Sequence, residues 1–140
     1  MTVSGEGPAK MAERALSLCG AAFRLHGRDA EHGLDCIGLA EQCLLAVDTV
    51  DGVPNGYSIR GGSEESIDNF MAGLGFERFA PETCPCEGDL VLVRPSPVQW
   101  HFMIRALDGF VHAHASLGKV VFCPGDAPWP IVAIFRLREG

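Results

Sequence analysis

No apolar run in the 140 residues is long enough to span a membrane. The first residues, Met1-Thr2-Val3-Ser4-Gly5-Glu6-Gly7-Pro8, carry neither the basic nor the apolar part of a signal peptide. Synthesis in a reducing cytoplasm is therefore the expectation. Lysine and arginine number 11 against 18 acidic residues, a net charge of −7, which argues against the basic patch or stripe of a nucleic-acid binder. There is no internal repeat and no low-complexity segment. The six cysteines, Cys19, Cys36, Cys43, Cys84, Cys86 and Cys123, are even in number, but without a leader they do not read as a disulfide framework. A C-x-x-C is missing: Cys84-Pro85-Cys86 is tighter than a zinc knuckle. Cys123 and a histidine could complete four ligands, but no second pair has the spacing. A structural zinc is therefore not expected. What remains is ordinary apolar and charged content and a length that suits one domain, residues 1–140, with 1–7 as a loose tail.

The stretch around which the chain is organised is Gly33-Leu34-Asp35-Cys36-Ile37-Gly38-Leu39. An apolar run to Val47 follows, with Leu39, Cys43 and Ala46 at helical spacing, so a helix opens near Asp35. Asp35 is a good N-cap, its carboxylate accepting from free N–H groups of the first turn. Cys36 then lies at the positive end of the helix dipole, where a thiol pKa is lowered and the thiolate favoured. The N–H groups beside it, at Asp35 and Cys36, are the expected donors to an oxyanion. Gly38 would let another backbone segment come close. The stretch reads as a nucleophile elbow; the alternative is a buried structural cysteine at a helix start.

Upstream, Pro8 to Leu18 has Met11, Ala15 and Leu18 on one helical face, and Gly20 closes it. Phe23 to Asp29 reads as a polar connection whose His26, like His32 just beyond, is solvated. Asp51-Gly52-Val53-Pro54-Asn55-Gly56 is dense in turn formers. A third helix starts at Ser63, with Glu64 and Glu65 suited to its first turn and Ile67, Phe70, Met71 and Leu74 on its apolar face. After Pro81 come strands over Asp89–Arg94, His101–Leu107, Phe110–Ser116, Lys119–Phe122 and Ile131–Leu137. Helices first and strands second imply an α+β fold, with N-terminal helices packed on a C-terminal antiparallel sheet.

A cysteine nucleophile needs a base, and the base an orienting group. His101, His112 and His114 all fall in the strand half. With Asp108-Gly109 as a two-residue turn, Arg105 faces His112, Met103 faces His114 and His101 faces Ser116. These residues share one sheet face. His101 and His114 become diagonal neighbours, roughly 7–8 Å apart at Cα, and His112 lies farther off. His101 and His114 are then the pair within side-chain reach, with His112 the second choice as orienting residue. A polar hairpin face that happens to hold three histidines is the plainer alternative.

Leu34-Asp35-Cys36-Ile37-Gly38-Leu39 resembles the D-C-x-G-L nucleophile motif of NlpC-type cell-wall cysteine peptidases. Glu87-Gly88-Asp89-Leu90-Val91 resembles their P-G-D-L-V strand start, and His101-Phe102-Met103-Ile104 their H-V-x-I base strand. Asp108-Gly109 followed by Val111-His112-Ala113-His114-Ala115 resembles the hairpin that ends in I-H-A. The likeness runs from about Phe23 to the C-terminus in the order Cys, His, His. Phe23-Arg24-Leu25-His26-Gly27-Arg28 and the W…I-A-x-F-R ending, Trp129 with Val132-Ala133-Ile134-Phe135-Arg136, resemble members found in phage tails and gene-transfer agents. Ile37 replaces a frequent serine, a tyrosine often found near Phe23 is missing, and I-H-A is duplicated, with the residues after His114 fitting better.

The resemblance implies a papain-like α+β domain that needs no metal or cofactor. It implies a cysteine peptidase of peptidoglycan stem peptides, with phage-tail or gene-transfer-agent proteins as possible partners. Such a protein would act on the cell wall after lysis or on a phage-like particle. Two alternatives share the fold: a tail-tip module that grips a peptide without cutting it, and an amidase or acyltransferase using the same triad.

Overall fold

Residues 6–47 and 63–138 are described in the computed structural model. The first helix, α1, spans Glu6–Ser17. It takes in Glu6 and Gly7 from the expected tail, while residues 1–5 and the turn-rich stretch 51–56 lie outside the described residues. Met11, Ala12, Ala15 and Leu18 form its buried face. The connection that follows is not wholly irregular: β1 (Arg28–Asp29) and β2 (Gly33–Leu34) pair antiparallel as a small ribbon. The elbow helix α2 is Cys36–Leu45, with Asp35 as N-cap. The third helix, α3, is Glu64–Gly73, capped by Ser63, whose hydroxyl accepts from Ser66 N–H at 3.1 Å.

The remaining strands are β3 (Phe76–Phe79), β4 (Leu90–Ser96), β5 (Gln99–Ala106), β6 (Gly109–His114), β7 (Lys119–Pro124) and β8 (Ile131–Leu137). They form one antiparallel sheet in the order β3-β8-β4-β5-β6-β7. The fold is α+β, with the helices packed on an antiparallel sheet, as the order of elements implies. Strand β3 was not expected; Phe76-Glu77-Arg78-Phe79 is drawn into the sheet by its pairing with β8.

Both faces of the central strands are covered, so β4 opens with the unbroken apolar run Leu90–Val93. Leu90 and Leu92 join Phe102, Ile104, Val111 and Phe135 under the helices. Val91 and Val93 join Met103, Phe110 and Ile134 on the opposite face, where Trp129 and Ile131 pack over them. His101 and His112 therefore belong to the face away from the helices, since side chains alternate along a strand.

The β5–β6 hairpin corrects the expected register. Ala106 pairs with Gly109 and Arg105 with Phe110, so the two turn residues are Leu107 and Asp108. Gly109 is needed in the strand, because a Cβ there would run into the Cys123 carbonyl of β7. The cost falls on Leu107, an exposed leucine at φ 52°, in the left-handed region. Sliding a turn by one residue moves every cross-strand partner by two, which keeps each side chain on its face. Continued along the strands, the slip puts His112, not His114, in the place diagonal to His101.

Candidate active site

Asp35 does more than cap α2. One carboxylate oxygen accepts from Gly38 N–H at 2.8 Å and the other from His26 N–H at 2.9 Å. The 24–27 turn is thereby tied to the start of the helix. A Cβ on Gly38 would overlap the Gly27 carbonyl, so this glycine admits the backbone of that turn, and the Phe23–Arg28 stretch buttresses the start of α2. Asp35 N–H donates to Gly27 O at 3.3 Å. It is engaged within the fold and is not the free donor that was expected.

Cys36, His101, His112 and His114 all line one cleft of about 360 Å³, with Phe23, Trp100 and Trp129 among its walls. Cys36 comes to it from the helix side of the sheet and the histidines from the other face. His101 Nε2 lies 3.0 Å from His112 Nδ1, and His112 is only 2% exposed. His114 does not take the place expected of it: its Nδ1 accepts from Leu117 N–H at 3.1 Å. It caps the β6–β7 turn and touches the pair through His112, with ring centroids 5.3 Å apart. The geometry makes His112 the partner of His101, and the physical reason is the slipped turn.

With His101 Nε2 engaged, Nδ1 is the nitrogen left to take a proton. Which ring donates is set by the tautomers; for His101 Nδ1 to accept a proton, His101 must carry its hydrogen on Nε2 and donate it to His112 Nδ1.

Electrostatics depart from the helix-dipole expectation. Burial pushes the Cys36 thiol up to about 12 and the Asp35 charge adds to this, while backbone N–H groups of Phe102, Cys36 and Ile37 favour the thiolate without prevailing. Burial, and then the charges of His112 and His114, hold His101 down to about 3. His112 is lowered to about 4 by burial and by His114. Burial thus favours the neutral thiol of Cys36 and the neutral imidazoles of His101 and His112.

Trp129, of the W…I-A-x-F-R ending, stands against the histidine pair. Its ring is perpendicular to both His101 and His112, at 5.6 Å from each. The other thiols lie elsewhere: Cys84 and Cys86 are exposed, and Cys123 is half-buried on β7. Among the described residues no three His, Cys, Asp or Glu side chains converge as a metal-sized group. His32, expected to be solvated, is exposed and bonds Asp29 at 2.9 Å; His26 is exposed too, but lines the cleft.

No family model matches the sequence, and no curated protein does. Solved structures do. NlpC1 from Trichomonas vaginalis superposes with a TM-score of 0.72 at 16% identity, over 100% of this chain and 47% of that one. The NlpC/p60 domain of the peptidoglycan hydrolase SagA gives 0.65 at 20% identity, over 93% of this chain and 98% of that domain. The chain has the NlpC/p60 fold. The peptidoglycan hydrolase RipB from Mycobacterium tuberculosis gives 0.64 at 21% identity, covering 96% of this chain and 66% of RipB. This chain thus spans about half the length of the Trichomonas NlpC1 structure and almost all of the SagA domain.

Proposed function

We propose that the protein is a cysteine peptidase that hydrolyses peptide bonds in peptidoglycan stem peptides. The observation that carries this reading is the hydrogen-bonded His101–His112 pair sharing one cleft with Cys36 at a capped helix start. Likeness to solved peptidoglycan hydrolases supports the substrate class.

In this mechanism a stem-peptide carbonyl carbon lies over the Cys36 sulfur. Because the resting pair is neutral, the thiol proton crosses to His101 Nδ1 as the S–C bond forms and the carbonyl electrons move onto oxygen. Cys36 N–H helps to hold that oxyanion. Collapse breaks the C–N bond, and His101 returns the proton to the leaving amine. Water then gives a proton to His101 as it attacks the thioester, and loss of the thiolate, reprotonated by His101, restores the start. His112 is a positioning residue throughout, holding the imidazole so that Nδ1 stays free.

The phage-tail and gene-transfer-agent likeness rests on the Phe23–Arg28 and Trp129–Arg136 motifs, and it supports a domain brought to the wall on a particle or released at lysis. The net charge of −7 offers anionic wall polymers no attraction, which agrees with targeting by a partner protein.

The test is digestion of purified peptidoglycan, followed by mass analysis of the fragments. The wild type should release fragments with newly freed stem-peptide amines and carboxyls, and Cys36→Ala should release none, a loss of at least about 10⁴-fold. A wild type that binds stem peptide and releases nothing would replace the enzyme by a binding module. Fragments that gain an acyl group without net hydrolysis would make it an acyltransferase.

A further inference from the structure

The strand hairpin that presents His101 and His112 does not hold their rings by itself. Each imidazole can turn about its Cβ–Cγ bond, and a modest turn of either would separate His101 Nε2 from His112 Nδ1, now 3.0 Å apart. What stands against both rings is Trp129, in the segment between β7 and β8. The indole is 5.6 Å from each imidazole at 90° and 89°, and the imidazoles are at 79° to one another. The three rings are close to mutually perpendicular, like the faces at the corner of a box. Perpendicular aromatic contacts are favourable in their own right, and here one indole makes two of them at once. The tryptophan also packs on the Val91, Met103, Phe110 and Ile134 cluster, so it joins the histidines to a rigid part of the sheet.

We infer that Trp129 is a positioning residue of the site: it locks the His101–His112 geometry and closes that side of the pair to water. Resting on the peptidase reading for its kinetic consequence only, the role follows from the ring geometry. The other described titratable groups lining the cleft are His26 from the turn before β1, Asp35 and Cys36 from the start of α2, and His114 from β6. All of them are retained in a Trp129 variant, so a shift shared by both imidazoles reads the lost ring. The low basicity of both imidazoles, caused first by burial, agrees with a shield at this place.

The test uses Trp129→Leu, which removes the ring, and Trp129→Phe, which keeps one. The first readout is the pH titration of His101 and His112 ring nitrogens by NMR, which needs no turnover. Trp129→Leu should move both midpoints up towards 6.5, the ordinary value, and Trp129→Phe should restore most of the difference. The second readout is cleavage of stem peptide, where Trp129→Leu should lower kcat by about 10- to 100-fold with little change in KM. Midpoints and kcat left at wild-type values by Trp129→Leu would overturn the inference. Unchanged midpoints with a raised KM would make Trp129 a substrate contact instead. If Trp129→Leu does not fold, the wild type decides: Trp129 ring protons should shift as His101 and His112 titrate, and ring protons indifferent to that titration would refute the contact. An inactive wild type with the expected titrations would defeat the peptidase reading and leave the role of Trp129 standing.

Discussion

Two groups of buried polar side chains lie in the same sheet and are treated in opposite ways. Asp89, 1% exposed at the head of β4, meets Arg136 of β8 in a two-pronged ion pair at 3.0 and 2.9 Å. It also accepts from Cys86 N–H at 2.7 Å, and the guanidinium lies over the Phe79 ring. Every charge there has a partner. Among the described residues the His101–His112 pair has no carboxylate hydrogen-bonded to it; its neighbours are another imidazole and an indole. A buried charge that is matched is a strut between strands. Buried imidazoles left unmatched are held neutral.

The sharpest way to break this contrast is to exchange the roles of neighbouring histidines. His112→Ala should lower kcat on stem peptide by about 10²- to 10⁴-fold with KM nearly unchanged, because His101 loses the bond that sets its tautomer. His114→Ala should stay within about tenfold, since that side chain caps a turn. The reverse order would return the orienting role to His114. Removing a partner from the strut should act on stability instead. Asp89→Ala leaves Arg136 without its carboxylate and should cost about 3–5 kcal/mol in denaturant unfolding, with kcat of the folded fraction preserved. A variant as stable as wild type would show that the pair is no strut.

Acidity offers a gentler probe. His101 and His112 have folded-state pKa values of about 3 and 4, below the ordinary 6.5. Between those values the unfolded chain binds protons that the folded chain refuses. Stability should therefore be complete above about pH 6.5 and fall as the pH drops towards 4, by an amount on the order of a few kcal/mol. In the same way, Cys36 and Cys43, raised from 9.0 to about 12, should make stability fall as the pH rises past about 9. The melting midpoint against pH checks both limbs, and His112→Gln should flatten the acid one. A wild-type profile flat from pH 7 to 4 would mean that the histidines are not held neutral. The smallest effect belongs to the hairpin. Leu107→Gly should raise stability by up to about 1 kcal/mol by relieving a left-handed leucine; a lower melting midpoint would say that Leu107 bears no strain.

What could be read from the chain alone divides along the range of the interactions involved. The start of α2 was legible because an N-cap, a helical period and a close-approach glycine are all local signals, and Asp35, Cys36 and Gly38 carry them within four positions. Strand β3 was not, because Phe76-Glu77-Arg78-Phe79 has too few residues to show a period and becomes a strand through β8. The hairpin register misled for a similar reason. Asp108-Gly109 is a proper turn signal, but the glycine is demanded by the closeness of β7, which nothing in the hairpin itself reveals. The Cys36 acidity was misjudged because the helix terminus is only one contribution, and desolvation by the surrounding chain outweighs it. Trp129 had no legible role at all, since its contacts with His101 and His112 are made across the fold.

The measurement that bears most directly on the site is the alkylation of Cys36 by iodoacetamide, followed residue by residue by mass spectrometry across pH. The thiolate is the species that reacts. With the thiol raised to about 12, Cys36 should be modified more slowly at pH 7 than the exposed Cys84 and Cys86, and its rate should still be climbing above pH 9. If Cys36 is the first cysteine to react at pH 7, with a rate that has already levelled off below neutrality, the resting site is a thiolate–imidazolium pair and the account of a neutral, burial-controlled site is wrong.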